Sequence, residues 1–123
     1  QWLMLQAPKP IDYVIATGQQ YSVREFINAV TQRLGLSIDW RGTGTEEVGV
    51  LTNTENMLCS HLLNKIIIRV DKKYFRPAEV SSLLGDSTKA RRELGWSPRI
   101  TFDQLVDEMT AKDLEIAYLS LNK

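Results

Sequence analysis

Two charged side chains, Arg76 and Glu79, are the sharpest chemical signal in the sequence. They lie in the stretch YFRPAEV, residues 74–80, directly after a strongly apolar, strand-like run. Pro77 restricts the backbone of the residue before it, so we expect Arg76 to be held at the end of a strand. A guanidinium in that position can form two parallel hydrogen bonds to a phosphate group. The Glu79 carboxylate can accept two hydroxyl hydrogen bonds, as a ribose diol offers. The same residues also fit an ordinary i,i+3 surface ion pair, so chemistry alone leaves both interpretations open.

The glycine pattern does not predict a dinucleotide-binding loop. Gly42 and Gly44 form a G-x-G pair, but the third glycine of a Rossmann fingerprint is missing and no capped helix begins there. The carboxylates of Glu46 and Glu47 that follow would also repel a pyrophosphate. We therefore predict a plain turn here and no cofactor-binding residue.

Other catalytic constellations are incomplete in this sequence. Cys59 and His61 supply two ligands, short of the three or four that zinc needs, and their i,i+2 spacing rarely gives a Cys-His nucleophile pair. A reductase-type Tyr-Lys pair needs i,i+4 spacing on one helix, and Tyr13, Tyr21 and Tyr118 each lack a lysine four residues on. We predict no metal site and no catalytic residue.

Length and composition predict a single globular domain, residues 1–123. The 15 basic and 15 acidic residues cancel, so no bulk charge favours nucleic acid or an anionic membrane surface as a partner. No apolar run approaches the ~20 residues of a membrane-spanning helix. One cysteine rules out an internal disulfide and fits a cytoplasmic location. The segment QWLMLQ opens on helix-forming residues with no cap, which suggests a chain that begins inside a helix of a longer protein.

Three helices are predicted by their caps and periodicity. Ser22 and Glu25 form a capping box, and Gly35 ends the helix that follows them. Asp86 is expected to cap a second helix, residues 87–94, and Thr101 a third. The inward face predicted for the third helix consists of Phe102, Leu105, Val106 and Met109.

Strands are predicted at residues 12–17, 36–40 and 65–71, with a further short strand or extended loop at 46–52. Three consecutive isoleucines in the 65–71 run suggest burial on both faces. Residues 53–64 show no decisive period, and 78–84 fit a single helical turn. The fold class expected from these elements is α/β, a small mixed, partly parallel sheet with flanking helices.

The sequence resembles the C-terminal part of the GDP-mannose 4,6-dehydratases, which belong to the extended short-chain dehydrogenase/reductase family. The most specific stretch is VDKKYFRPAEV, and LLGDSTKA followed by LGWSP is shared more loosely with other nucleotide-sugar enzymes. The resemblance extends over residues 1–6, 15–26, 42–49 and 74–117, and leaves out about 51–64.

This resemblance implies a lyase of two parts. An N-terminal Rossmann domain, expected to be absent from this chain, holds NADP and the catalytic residues. A C-terminal substrate-binding domain grips GDP-mannose. The implied reaction oxidises C4 of mannose, eliminates water across C5–C6 and returns the hydride at C6, giving GDP-4-keto-6-deoxymannose for fucose- and rhamnose-type deoxysugars.

For this chain the resemblance implies that Arg76 contacts the GDP diphosphate and Glu79 holds the ribose hydroxyls. Residues 1–123 are then expected to bind GDP-mannose or GDP, to bind no NADP and to be inactive alone, whereas the full-length enzyme is expected to use NADP and to form a homo-oligomer. A related nucleotide-sugar epimerase or reductase, and a non-catalytic interaction module, are the alternatives.

Overall fold

The computed structural model describes residues 1–76 and 83–121. The chain divides into two compact units, each described here by itself. The helical unit comprises residues 1–21 and 80–101, and the sheet unit comprises 22–79 and 102–123. Within the described ranges, none of the helices combines the length and the apolar character that a membrane crossing requires.

The described residues of the sheet unit form three antiparallel strands, β1 (Leu36–Arg41), β2 (Val48–Thr54) and β3 (Ile66–Arg69), in the order β1-β2-β3. The predicted α/β class is therefore correct, but the expectation of a mixed, partly parallel sheet was wrong for the described residues. The physical reason is the length of the connections. Strands that follow one another after short links pair antiparallel, whereas a parallel neighbour needs a long crossover.

The strand predicted at residues 12–17 does not form. This segment belongs to the helical unit, and side chains rather than a neighbouring strand bind its terminal carbonyls. Lys89 Nζ donates to the Asp12 carbonyl at 2.9 Å, and Arg91 Nη2 donates to the Thr17 carbonyl at 3.0 Å. Its β-branched composition therefore marks an extended segment that lies outside the sheet.

The prediction that the isoleucine run is buried on both faces was also wrong. Ile66 is 41% exposed, and Ile67 and Ile68 are only partly buried. The cause is the position of β3 at the edge of an antiparallel sheet, where one face can remain solvated.

Residues 1–76 and 83–121 form four α-helices. In the helical unit, α1 spans Trp2–Leu5 and α3 spans Thr88–Leu94. In the sheet unit, α2 spans Val23–Arg33 and α4 spans Phe102–Leu121. The stretch without a clear period contains a 3-10 helix, Met57–Leu62, and the turn predicted at 78–84 falls largely outside the described residues.

Helix α3 begins one residue later than the sequence predicts. Ser87 rather than Asp86 is the N-cap, but the Asp86 carboxylate still accepts a hydrogen bond from the Thr88 amide at 2.9 Å. Hydrogen bonds from Thr88 lower the pKa of Asp86. Gly95 ends the helix in a left-handed conformation, φ +63°, as expected.

Helices α2 and α4 pack against each other in the sheet unit. The rings of Phe26 and Phe102 meet edge to face with their centroids 6.3 Å apart. Arg33, in the last turn of α2, forms ion pairs with Asp103 at 3.2 Å and with Asp107. The inward face predicted for α4 was correct at Val106, which is fully buried, but Leu105 is 47% exposed and Met109 is 43% exposed.

The capping box at the start of α2 is complete. The Glu25 carboxylate accepts the Ser22 amide at 2.6 Å, and the Glu25 amide donates to Ser22 Oγ at 3.1 Å. Hydrogen bonds from the Ser22 backbone and then from its side chain lower the pKa of Glu25. A carboxylate whose pKa is lower in the folded state stabilises the fold above its unfolded-state pKa, and this contribution is lost as the pH falls through the folded-state value.

Replacing Ser22 with alanine should reduce the free energy of unfolding by ~1 kcal/mol at pH 7, the usual cost of losing an N-cap. The loss should become smaller as the pH falls through the folded-state pKa of Glu25, since protonation of its carboxylate weakens the box. Urea unfolding over a series of acidic pH values measures this, with Ser37→Ala, an exposed serine on β1, as the control. Equal losses for the two variants at pH 7 would contradict the assigned cap.

Candidate functional site

A cleft of about 450 Å³ lies within the sheet unit. Its first wall is the start of helix α2, and its second wall is the segment that follows β3. The residues that form these walls are Val23, Arg24 and Ile27 on the helix, and Tyr74, Phe75 and Arg76 after the strand. The cleft thus brings the segment that contains the predicted phosphate-binding arginine against a capped helix.

The floor of the cleft is part of the sheet. Trp40 on β1 and Ile68 on β3 both line it, and in the strand register both pair with Gly49 of β2. A Cβ on Gly49 would lie 3.0 Å from Ile38 Cγ2 and 3.2 Å from Ile68 Cβ. A glycine at this position therefore lets the side chains of the flanking strands close over the middle strand.

The helix wall presents an arginine that is already engaged. The Arg24 guanidinium lies 5.3 Å from the centroid of the Trp40 ring and forms an ion pair with Glu47. Trp40 Nε1 in turn donates to Asn28 Oδ1 at 2.9 Å. Because the Arg24 charge is already paired with Glu47, Arg24 is a weaker candidate than Arg76 for binding an anion.

Arg76 lines the same cleft and is exposed. Within residues 1–76 and 83–121 it has no ion-pair partner, so no carboxylate in that part of the chain neutralises its charge. Glu79, the second predicted site residue, lies outside the described residues. The roles of Arg76 and Glu79 therefore remain predictions.

The segment between β3 and Arg76 is held by backbone hydrogen bonds. The Val70 amide donates to the Glu47 carbonyl at 3.3 Å. Asp71 then closes a turn: its carboxylate accepts the Lys73 amide at 2.9 Å and its carbonyl accepts the Tyr74 amide at 3.0 Å. Sequence reasoning missed the contribution of Glu47, because nothing in the local pattern indicates which strand its carbonyl faces.

Two further motifs from the sequence are the glycine pair and the Cys-His pair. Gly42 and Gly44 have φ values of +80° and +60° in a tight turn, as predicted. Cys59 and His61 lie in the 3-10 helix Met57–Leu62. In the part of the chain that the structure describes, no three His, Cys, Asp or Glu side chains are grouped so as to hold a metal ion.

Comparison with known proteins identifies the family. Residues 1–109 match the family model described as GDP-mannose 4,6 dehydratase. The chain is 45% identical over 118 residues to the GDP-mannose 4,6-dehydratase of Vibrio cholerae, a match that covers 95% of this chain and 32% of that protein. It is 45% identical over 115 residues to the enzymes of that name from Drosophila melanogaster and Homo sapiens, covering 94% of this chain and 27% and 28% of theirs.

The chain therefore belongs to the GDP-mannose 4,6-dehydratase family, as the resemblance in its sequence indicates. It spans between 27% and 32% of the length of these three relatives.

Proposed function

We propose that residues 1–123 are the sugar-nucleotide-binding part of a GDP-mannose 4,6-dehydratase, serving as one C-terminal substrate-binding domain beside a Rossmann-type domain of the full-length enzyme. Family membership over residues 1–109 supports this proposal. The observation that carries it is the exposed guanidinium of Arg76 on the wall of the cleft. The substrate is GDP-mannose, and the product enters fucose- or rhamnose-type deoxysugar synthesis.

In this proposal Arg76 binds the diphosphate group of GDP. A guanidinium presents parallel N–H donors to two phosphate oxygens, and charge-assisted hydrogen bonds of this kind are among the stronger polar contacts in proteins. The aromatic side chains of Tyr74 and Phe75 line the same cleft beside it. Glu79, in the same motif, accepts the ribose hydroxyls.

NADP belongs to the full-length enzyme in this proposal, where it accepts and returns the hydride. The described residues of this chain do not fit it. The glycine turn at Gly42 is closed by the Glu46 carbonyl, 2.5 Å from where a Cβ would stand, and continues into a 3-10 helix and two carboxylates instead of a long helix N-terminus. We therefore assign this chain to substrate binding, and expect it to be inactive alone.

Two further properties of the proposed enzyme rest on the family resemblance, a homo-oligomeric full-length form and a cytoplasmic location.

An interaction module is the second candidate function, favoured by exposed apolar side chains along the C-terminal half of α4. Its most exposed members are Ile116 at 55% and Leu119 at 60%. Specific nucleotide binding distinguishes the candidates, because a module of that kind has no need of Arg76.

Replacing Arg76 with alanine should weaken GDP binding by roughly 10- to 150-fold, the equivalent of losing ~1.5–3 kcal/mol of charge-assisted hydrogen bonding. Arg76→Lys should recover part of the affinity, since it restores the charge but not the bidentate geometry. Titration calorimetry with GDP and with GDP-mannose measures these changes.

The matched control is Arg99→Ala, which removes the same charge from an exposed position in the helical unit. It should leave the affinity within about twofold of wild type, because Arg99 is not among the residues that line the cleft. If Arg76→Ala and wild type bound GDP with the same Kd, the proposed site would be wrong.

A further inference from the structure

We propose that Glu47 is a positioning residue for Arg76. It ties the segment that bears the arginine to helix α2 and so sets where the guanidinium stands in the cleft. The inference rests on the proposed function for its ligand, but its geometry is independent of that function. The family resemblance assigns no role to this carboxylate, and its charge alone predicted only that it would repel a pyrophosphate.

Glu47 joins two walls of the cleft. Its side chain is only 17% exposed and forms an ion pair with Arg24 in the first turn of α2. Its backbone carbonyl accepts the Val70 amide at 3.3 Å, at the first residue after β3. One residue therefore connects the capped end of a helix to the start of the segment that leads to Arg76.

The Arg24 side chain, which pairs with Glu47, is itself held by further contacts. Arg24 stacks 5.3 Å from the Trp40 ring centroid, and Asn28, one turn further along α2, accepts the Trp40 indole N–H at 2.9 Å. A guanidinium held by both a ring face and a carboxylate has few other orientations open to it. The Arg24 side chain, although 53% exposed, is thus held by contacts to both Trp40 and Glu47.

The segment from Val70 to Arg76 links the position of Val70 to that of Arg76. The Asp71 carboxylate and carbonyl accept the Lys73 and Tyr74 amides, and the Phe75 amide donates to the Lys72 carbonyl at 3.4 Å. A turn with these internal hydrogen bonds moves largely as one piece. A shift at Val70 therefore displaces Arg76, which lies directly after the turn.

Glu46 provides a matched comparison next along the chain. It also forms an ion pair with the segment, to Lys72 at 3.0 Å, but its side chain is 76% exposed and that of Lys72 is 73% exposed. Exposed pairs of this kind contribute little, because water and salt screen them. The two adjacent carboxylates thus differ in exposure and in the element that each one engages.

The first experiment compares GDP affinity in Glu47→Gln and Glu46→Gln by calorimetry. Glu47→Gln should raise the Kd roughly 3- to 30-fold, within the range of couplings between residues that share one network, because the displacement of Arg76 outweighs the removal of a carboxylate that lines the cleft. Glu46→Gln should change it by less than about twofold. Arg24→Ala removes the same ion pair from the helix side and should reproduce the effect of Glu47→Gln. Unfolding curves establish that each variant is folded under the titration conditions.

A double mutant separates positioning from a general loss of structure. If Glu47 acts through Arg76, Glu47→Gln should cause no further loss of affinity in an Arg76→Ala background. A variant that disturbs the cleft in another way would lower the affinity by the same factor in both backgrounds, because independent effects add. That additive outcome would overturn the inference.

A nucleotide-independent measurement completes the test. In ¹H–¹⁵N spectra, Glu47→Gln should shift the amide resonances of residues 70–76, whereas Glu46→Gln should shift only those near its own position and Lys72. Unmoved resonances at residues 74–76 in Glu47→Gln would overturn the inference even if Arg76→Ala weakens GDP binding. Equal GDP affinity in Arg76→Ala and wild type would overturn the proposed function instead, and the spectra would then decide the positioning claim alone.

Discussion

Replacing Leu51 with alanine is expected to lower the free energy of unfolding by ~2–5 kcal/mol, a large part of the stability of a typical domain. Leu51 lies in the middle of the central strand β2, pairs with Ile38 and is fully buried. Its amide donates to the Lys65 carbonyl at 3.0 Å and its carbonyl accepts the Asn64 amide at 2.8 Å. Because its backbone is fixed on both sides, the surroundings cannot easily collapse into the space that alanine leaves.

Leu58→Ala is the matched control for this change, since it deletes the same atoms from a leucine that is 63% exposed. It should cost less than about 0.5 kcal/mol, as is usual for surface positions. Chemical denaturation followed by the fluorescence of Trp40 and the other tryptophans measures both losses. Similar losses for the two leucines would mean that β2 is not the centre of the cooperative core.

The features predicted correctly from sequence depend on residues close together in the chain. The capping box needs only Ser22 and Glu25, and the left-handed stop needs only Gly95. The strand at residues 36–40 was recognised from alternation, and its observed bounds, Leu36–Arg41, differ by one residue. Short-range hydrogen bonds and periodicity determine each of these features, so a single sequence suffices to find them.

The features that could not be predicted depend on contacts between distant residues. Residues 12–17 have strand composition, but Lys89 and Arg91 bind two of their carbonyls across more than 70 positions of sequence. The expectation of a partly parallel sheet was wrong because the described strands follow one another after short links, and residues 12–17 do not join their sheet. Composition gives the propensity of a segment but not the identity of its hydrogen-bond partners.

The candidate site also combines features that local sequence predicts with features that depend on distant contacts. Arg76 and Glu79 were identified from their chemistry and from the family resemblance, which a short motif can carry. The cleft itself depends on the register that sets Trp40 and Ile68 on either side of Gly49, and on the approach of α2 to β1. The carbonyl of Glu47 meets the amide of Val70 only because β2 and β3 pair as they do.

Replacing Gly42 with alanine should both destabilise the fold and weaken nucleotide binding. Gly42 has φ +80°, where a residue with a Cβ is disfavoured by ~1–2 kcal/mol. A Cβ here would also stand 2.5 Å from the Glu46 carbonyl oxygen and 3.5 Å from the Glu47 Cα. Backbone atoms must move to relieve that contact, so we expect a total loss of ~2–4 kcal/mol in the free energy of unfolding.

Gly44→Ala separates the two causes of this loss. Gly44 also has a positive φ, +60°, but a Cβ there would meet none of the described atoms within 4 Å. Gly44→Ala should therefore lower the free energy of unfolding by only the ~1–2 kcal/mol of the backbone conformation and leave the GDP affinity unchanged.

In Gly42→Ala, displacement of the Glu47 backbone should also displace Val70 and the segment after it. The Kd for GDP should therefore rise as it does in Glu47→Gln. Unfolding and GDP titrations of the two alanine variants test this directly, and equal behaviour would show that the Glu46–Glu47 backbone does not position the arginine.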